Sequence, residues 1–469
     1  MKSDCPTCQL VVPVLAQLEQ EGAEVRVFYQ DEGGFLGSLS GSVDDRDLER
    51  SFRLGVESVP TIVRFDGAKE VARAVGWSRE EWEAVTGITD LGPDLEAWKP
   101  ACGSRSVAPG AAEVLEARFG SPDIRARRID LEGFQDPVEA CYDRGWSDGF
   151  PVVPPTPERV LRMLAGTTRD RHEVIGLMPP DLAECTVEKV AINAVMAGCR
   201  PEYMPLVLAA METALDPHFT LHGLTCSTCF SSPVIIVNGP ISDRLGMNSG
   251  LNALGQGNRA NSTIGRAVNL VVRNVGGGRP GEIDRATLGA PSKVSFCFAE
   301  DESDPEWTPL AQSRGVAPGR SAVTLFQGDG VQGVMDQGSR TPEELTRSLA
   351  ASLLAVGHTK LCEWARAVLV LSPEHYGIYR DGGWGRDQIT EALHAACERP
   401  GSDVVRGARG IGEGVDESRR NERVPKFHPD GLLVVRAGGP AGLYSAILAG
   451  WPGGRAKEDS FPITKEIPE

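Results

Sequence analysis

The stretch Asp4-Cys5-Pro6-Thr7-Cys8 sets two cysteines two residues apart at the head of an apolar helical pattern, and it constrains what the surrounding chain can become. That spacing lets the sulfurs close a small disulfide. A helix amino end stabilises a thiolate on the first cysteine and lowers its pKa. Cys5 is therefore the candidate nucleophile and Cys8 the resolving thiol. A Cys-x-x-Cys also serves as half of a zinc site, so the neighbouring sequence has to separate the two roles.

After Cys8, Leu10, Val11, Val14, Leu15 and Leu18 share one face of a helix predicted over 9–21, and Pro13 falls inside it. A proline there costs about 3 kcal/mol and kinks the helix. A strand is predicted over 24–29 and a helix over 45–54. Ser58-Val59-Pro60-Thr61 then leads into strands over 62–65 and 70–75. Ser78, with Glu81 three residues on, starts a last helix as a capping box.

This order resembles the thioredoxin family over residues 1–87, on Cys5, Cys8, Pro13 and Val59-Pro60-Thr61. The resemblance implies a thioredoxin-like fold, with a redox-active Cys5–Cys8 disulfide in place of any other cofactor. It also implies that Pro60 is a cis-proline packed beside that disulfide. The family carries a buried strand ahead of its cysteines, where four residues stand here. Either the native start lies upstream or another segment fills that place.

At 469 residues the chain is long enough for several domains. Its net charge of −17 argues against general nucleic-acid binding and against an anionic membrane surface. No apolar run approaches the roughly 20 residues that cross a bilayer, and no charged-then-apolar leader opens the chain. A cytoplasmic protein is expected. Eleven cysteines at irregular spacing suit a reducing compartment better than a disulfide framework.

Residues 88–135 read as a linker that carries Cys102 in Ala101-Cys102-Gly103-Ser104-Arg105. Either Cys102 is exposed beside a glycine that admits a substrate, or it is a surface cysteine without consequence. From 136 to 469 a larger α/β domain is expected, with a possible break near 300–320. Asp148, in a Gly- and Pro-rich loop, is a site acid or a turn residue. Cys185 and Cys199 bracket a helix predicted over 186–198 and read as packed thiols, and a second helix is predicted over 203–215.

His222, Cys226 and Cys229 form a second cluster, open to a redox role, a metal role or a structural one. In the Gly- and Asn-rich region 246–282, Ser262 is read as the cap of a helix with one buried face. A GxGxxA element there lacks the preceding strand and acidic partner of a dinucleotide site. Free N–H groups at that helix entry suit an anion instead. Asn258, Arg259, Asn261, Gly277 and Gly278 are the substrate-binding candidates, with Arg266 as a further source of charge.

The last third alternates strands and helices: strands over 322–326, 367–371 and 432–436, and helices over 342–356, 387–397 and 443–449. That alternation predicts a mainly parallel sheet with a site beyond its carboxyl ends. Residues 327–330, 372–375 and 437–442 would converge there. Glu374 and His375 are the acid–base candidates, and Gly438 and Gly439 would bind substrate. Residues 407–426 read as a loop able to act as a lid.

From Cys102 onward, Cys102-Gly103-Ser104, Gly145-Trp146-Ser147-Asp148-Gly149, the stretch 151–156 and Asn258-Arg259-Ala260-Asn261 resemble the UGSC-type family. That family is named for a selenocysteine or cysteine followed by Gly-Ser-Cys. The resemblance sets Cys102 at the selenocysteine position, with Arg105 where the family has cysteine. Cys226 or Cys229 would then supply the missing thiol.

Together these readings predict an oxidoreductase of thiol–disulfide chemistry, tied to cell redox homeostasis. The Cys5/Cys8 dithiol would recharge a cysteine site that reduces or reductively cleaves a small, anionic molecule. Thioredoxin reductase or a low-molecular-weight thiol would supply electrons. Two alternatives stand beside this reading: a thioredoxin-like sensor or adaptor with a ligand-binding domain, and metal or organometallic handling through Cys226, Cys229 and His222. The oligomeric state is open.

Overall fold

Proline splits the first helical stretch in two. In the computed structural model, α1 (Pro6–Leu10) and α2 (Val12–Gln20) meet at Val11, and Pro13 lies in the first turn of α2, where its missing N–H costs nothing. The structure describes residues 1–37, 39–407, 413–451 and 462–468. It divides into two compact units of mixed helix and strand. One is Met1–Arg125 with Pro157–Arg162; the other is Ala126–Thr156 with Met163–Glu469. No helix among the described residues is long and apolar enough to cross a membrane.

In the first unit, β1 (Val27–Tyr29) pairs in parallel with β2 (Ser42–Asp44). The helix α3 (Glu49–Arg53) precedes β3 (Ser58–Val59). The hairpin of β4 (Thr61–Asp66) and β5 (Lys69–Val75) is antiparallel. β6 (Trp77–Ser78) leads into α4 (Arg79–Thr86), whose first turn is capped by the Ser78 hydroxyl accepting from Glu81 N–H. The core gathers Val11, Val14, Leu15 and Leu18 from the first helical stretch with Trp77 and Trp82, the two indoles meeting edge to face at 5.2 Å. Burying each such side chain contributes roughly 1.5–3 kcal/mol. Ahead of Cys5, Met1 runs beside β1: its amine donates to Phe28 O, and its carbonyl accepts from Gln30 N.

Of residues 88–135, read as linker from the sequence, 88–125 belong to this unit and 126–135 to the other. β7 (Trp98–Lys99) pairs with β6, and β8 (Cys102–Gly103) pairs with β3. The helix α5 (Ala111–Phe119) comes next. The strap is held by side chains far from it in sequence. The Trp77 indole donates to Glu96 O, and the Arg79 guanidinium donates to Leu91 O, Gly92 O and Leu95 O. Gly76, at φ +81°, lets Ala101 pass so close that a Cβ would stand 3.0 Å from its nitrogen.

In the second unit, the hairpin β9 (Val174–Met178) and β10 (Ala183–Thr186) precedes the helix Val187–Ala197, capped by Thr186 and ended by Gly198 at φ +90°. The central sheet is built from β11 (Ser232–Asn238), β12 (Cys297–Ala299), β13 (Ala322–Met335), β14 (Ala365–Leu371), β17 (Phe427–Arg436), β18 (Tyr444–Gly450) and β19 (Ile463–Glu466). The short β15 (Arg399–Pro400) and β16 (Arg423–Val424) pair apart from it. Its order is β12-β11-β13-β18-β14-β17, with β19 against β13.

This sheet corrects the expectation of a mainly parallel one. β11/β12 and β14/β17 are parallel, while β13 runs antiparallel to β11, β18 and β19, and β18 antiparallel to β14. The reason is double burial. Ala367, Leu369 and Leu371 enter one core and Val368 and Val370 the other, so each strand reads as an unbroken apolar run, as a parallel strand does. Two further expectations change with it. Tyr444–Gly450 form strand where a helix is expected over 443–449, because β18 is paired on both edges. Residues 327–330 lie inside β13 and do not reach the sheet's end. The stretch 300–320 is no boundary, since β12 and β13 on either side of it belong to one sheet.

Candidate functional site

The pairing of β3 with β8 sets Cys102 opposite Val59, the residue before Pro60, and the Val59–Pro60 peptide is cis. This brings a third sulfur to the first two. Cys102 Sγ lies 2.7 Å from Cys5 Sγ. Cys8 N–H points at Cys5 Sγ at 3.4 Å, and Val59 O lies 3.6 Å from the same sulfur. All three cysteines are free thiols. Cys5 and Cys8 are fully buried, among Met1, Phe35, Val56 and Val59, whereas Cys102 is partly exposed.

The three thiols differ in charge preference. Burial works against a charge on Cys5, but the Cys102 thiol and the N–H of Cys8 donate to it and hold it below the usual thiol range. Burial raises Cys102, and so does its role as donor to Cys5. Cys8 is pushed up to about 12, by burial first and by the neighbouring Cys5 charge among lesser causes. The amino end of α1 contributes as expected from the sequence. The Cys102 donor does not follow from the motif.

A set of hydrogen bonds keeps Cys102 in place. Thr7 Oγ1 donates to Pro100 O at 2.7 Å, Ser104 N donates to Glu57 O, and Lys2 Nζ donates to Gly103 O. The buried Gln30 amide donates to Ser51 Oγ and Ser104 Oγ and accepts from Arg105 N. Arg105 pairs with Asp31 at 3.3 Å. Sequence reasoning missed Gln30, Thr7 and Asp31. Nothing but their polarity beside apolar neighbours marks them.

Cys226 and Cys229 lie in the second unit, both partly buried, with His222 exposed. Among the described residues, no group of three or more His, Cys, Asp or Glu side chains is arranged to hold a metal ion. Cys226 ends the short helix Leu221–Thr225. Cys185 and Cys199 are buried thiols, each pushed up to about 12 by burial.

The Asn/Gly-rich region is engaged with itself. The helix Arg259–Asn274 is capped by Asn258, whose side chain accepts from Asn261 N, so Asn258 takes the place expected for Ser262. Asn261 is buried and bonds Asn248 and Ala253. Arg259 donates to Gly198 O. Arg266 forms a fork with Asp148 at 2.7 and 2.8 Å; burial would raise that carboxyl, but the fork holds it below its ordinary range. Asp148 is thus an ion-pair partner. Gly277, at φ +77°, lets Asp181 approach to where a Cβ would clash, and Gly278 borders a cavity shared with Arg273.

At the sheet's end, His375 is fully buried. One ring nitrogen meets Ser445 Oγ at 2.7 Å and the other meets Asp336 O at 3.0 Å. Glu374 accepts from Leu443 N. Gly438 N donates to Ser249 O, and Gly439 packs on Leu251. All four residues are occupied in holding loops together. The lid read at 407–426 lies partly outside the described residues.

Compared with models of known protein families the chain matches none, and no curated protein is significantly similar to it.

Proposed function

We propose that the first unit is a thioredoxin-like thiol–disulfide reductase whose working centre has three sulfurs, Cys5, Cys8 and Cys102. The observation that carries this reading is the 2.7 Å approach of Cys102 to Cys5. The split at Pro13 and the cis Val59–Pro60 peptide support the thioredoxin-like likeness. The UGSC-type likeness supports a reactive Cys102.

Burial bars Cys5 from a bulky substrate, and Cys102 is the partly exposed sulfur of the pair. When the pair has lost one proton, the charge falls on Cys5 and Cys102 keeps the remaining proton. For a small-molecule disulfide R–S–S–R′, the Cys102 proton passes to Cys5. The Cys102 thiolate attacks one substrate sulfur, and R′–S⁻ leaves and takes the proton as R′–SH. Cys5, again a thiolate, attacks Cys102 and expels R–S⁻, which takes a proton from Cys8 or water. The Cys8 thiolate then attacks Cys5, forms the Cys5–Cys8 disulfide and frees Cys102. Two electrons pass from the Cys5/Cys8 pair to the substrate, with one proton from Cys102 and one from Cys8 or water, and Cys102 is released as a thiolate. An external dithiol, or two monothiols, returns them.

Cys8→Ser under mild oxidation tests the order of steps. Lacking its resolving thiol, the protein should accumulate a Cys5–Cys102 disulfide, read by mass spectrometric mapping. Recovery of Cys5 only as a mixed disulfide with added thiol, with Cys102 freely alkylated, would overturn the three-sulfur centre.

A further inference from the structure

The second unit contains a cavity of about 540 Å³, within the range of small-ligand pockets. One wall is the last turns of the helix Arg259–Asn274, with Asn269, Val272 and Arg273. A second is the start of β11 at Ser232, and a third is the segment from Gly278 to Val294. The acidic groups along it are engaged: Asp148 with Arg266, and Asp284 with Lys293 at 2.6 Å.

Arg273 is the exception. Its Nε is shielded from solvent without a partner, and among the described residues the side chain makes no hydrogen bond or ion pair. Ser232 Oγ, in the facing wall, is likewise shielded and unpartnered. Arg279 stands near Arg273, and its Nε too lacks a partner; Glu282, also near, is exposed. Burial first, and then the Arg279 charge, lower Arg273 from the usual arginine range. A shielded guanidinium N–H without a partner, with a second cation beside it, costs stability, and an anion that reaches it removes that cost.

We propose that this cavity binds a small organic monocarboxylate, with the carboxylate on Arg273 and Ser232 and the apolar body against Val272 and Leu224. The charge balance sets the valence. Of the charged groups that line the cavity, Asp148, Asp284 and Lys293 are paired and Arg273 is left unmatched, Arg279 standing outside the lining, and a planar fork suits a carboxylate. The site also has a natural reporter. Thr225 and Ser231 line the cavity and bracket Cys226 and Cys229, and Thr287 N ties the rim to Thr228 O at 2.9 Å.

Calorimetric titration of the full chain with benzoate tests the proposal, with benzamide as the neutral isostere and phenyl phosphate as the dianion. Benzoate should bind saturably and at least about 10-fold more tightly than either of the others. Arg273→Met should weaken it by about 10- to 100-fold, the range for a hydrogen bond to a charged group. Arg273→Lys, which keeps the charge and loses the fork, should fall between. Without ligand, Arg273→Met should melt no lower than the parent protein. Bound benzoate should slow alkylation of Cys226 and Cys229. Absence of saturable benzoate binding, equal binding of benzamide, or equal benzoate affinity in the parent, Met and Lys proteins would each overturn the proposal. Tighter phenyl phosphate binding would overturn the monocarboxylate assignment.

Discussion

Cys5 stands at the amino end of α1 with the N–H of Cys8 turned toward its sulfur, whereas Cys226 stands at the carboxyl end of the helix Leu221–Thr225, where its own N–H is taken by His222 O. The two stretches share one spacing. A helix favours negative charge at its amino end and disfavours it at its carboxyl end. Cys5 also has a third sulfur at 2.7 Å, delivered by a strand pairing, and Cys8 behind it. The comparison teaches that Cys-x-x-Cys spacing permits a disulfide, while helix polarity and the neighbouring donors decide whether a thiolate forms there.

The bluntest way to break this comparison is to remove one cysteine from each stretch. Cys5→Ala should lower dithiol-dependent reduction of a small disulfide such as hydroxyethyl disulfide at least about 100-fold, the scale for losing a nucleophile that acts with its partners as a unit. Cys226→Ala should leave it within about twofold, because that cysteine takes no part in the proposed three-sulfur relay. Comparable losses in both variants would erase the distinction.

A second test isolates the donor. Cys102→Ala removes the S–H that stabilises the Cys5 thiolate, so the Cys5 pKa should rise, by about one unit for a weak donor to a charged group. Cys5 is held low in the folded protein, so its thiolate absorbance persists to lower pH than a free thiol's. In the variant that edge should move to higher pH. Ultraviolet titration of the thiolate reads the shift, and Cys226→Ala should leave the edge where it was.

The smallest effect expected is on the strap. Gln30→Leu strips three hydrogen bonds from the segment that carries Cys102 and its support. A local loss of about 1–3 kcal/mol should appear as faster amide exchange over 100–106, with a partial rise of the Cys5 pKa. Unchanged exchange would mean that β3 alone holds Cys102.

The residues that announced themselves in the sequence act locally. Cys5, Cys8, Pro13 and Ser78 work within one or two helical turns, and Thr186 and Gly198 bound the helix between them. The third sulfur was visible as a reactive candidate, but its partner was not. Cys102 is fixed by Gln30, Thr7 and Arg79 through atoms that are mostly backbone, and backbone acceptors leave no mark in composition. Residues 443–449 looked helical because Ala446 to Ala449 carry no clear alternation, and the pairing of β18 on both edges is non-local. His375 and Glu374 looked catalytic by type. Only the contacts to Ser445, Asp336 and Leu443 reveal what occupies them. Arg273 was passed over because a lone arginine in a helical pattern reads as solvated. Its lack of a partner is a property of the folded chain.

The pairing of β3 with β8 has a thermodynamic consequence. A bond between Cys5 and Cys102 would join residues 97 apart, while one between Cys5 and Cys8 joins residues three apart. In the chain-entropy view, the long loop restricts the unfolded polymer far more: about 4.7 kcal/mol for a loop near 100 residues, against roughly 2 kcal/mol for the shortest. The first unit would then be a clasp as well as a catalyst. It would be hardest to unfold in the proposed intermediate that awaits Cys8, and would loosen when Cys8 completes the exchange. Folding and electron transfer would draw on one equilibrium, so a denaturant that favours the open chain would also shift which of the two disulfides prevails.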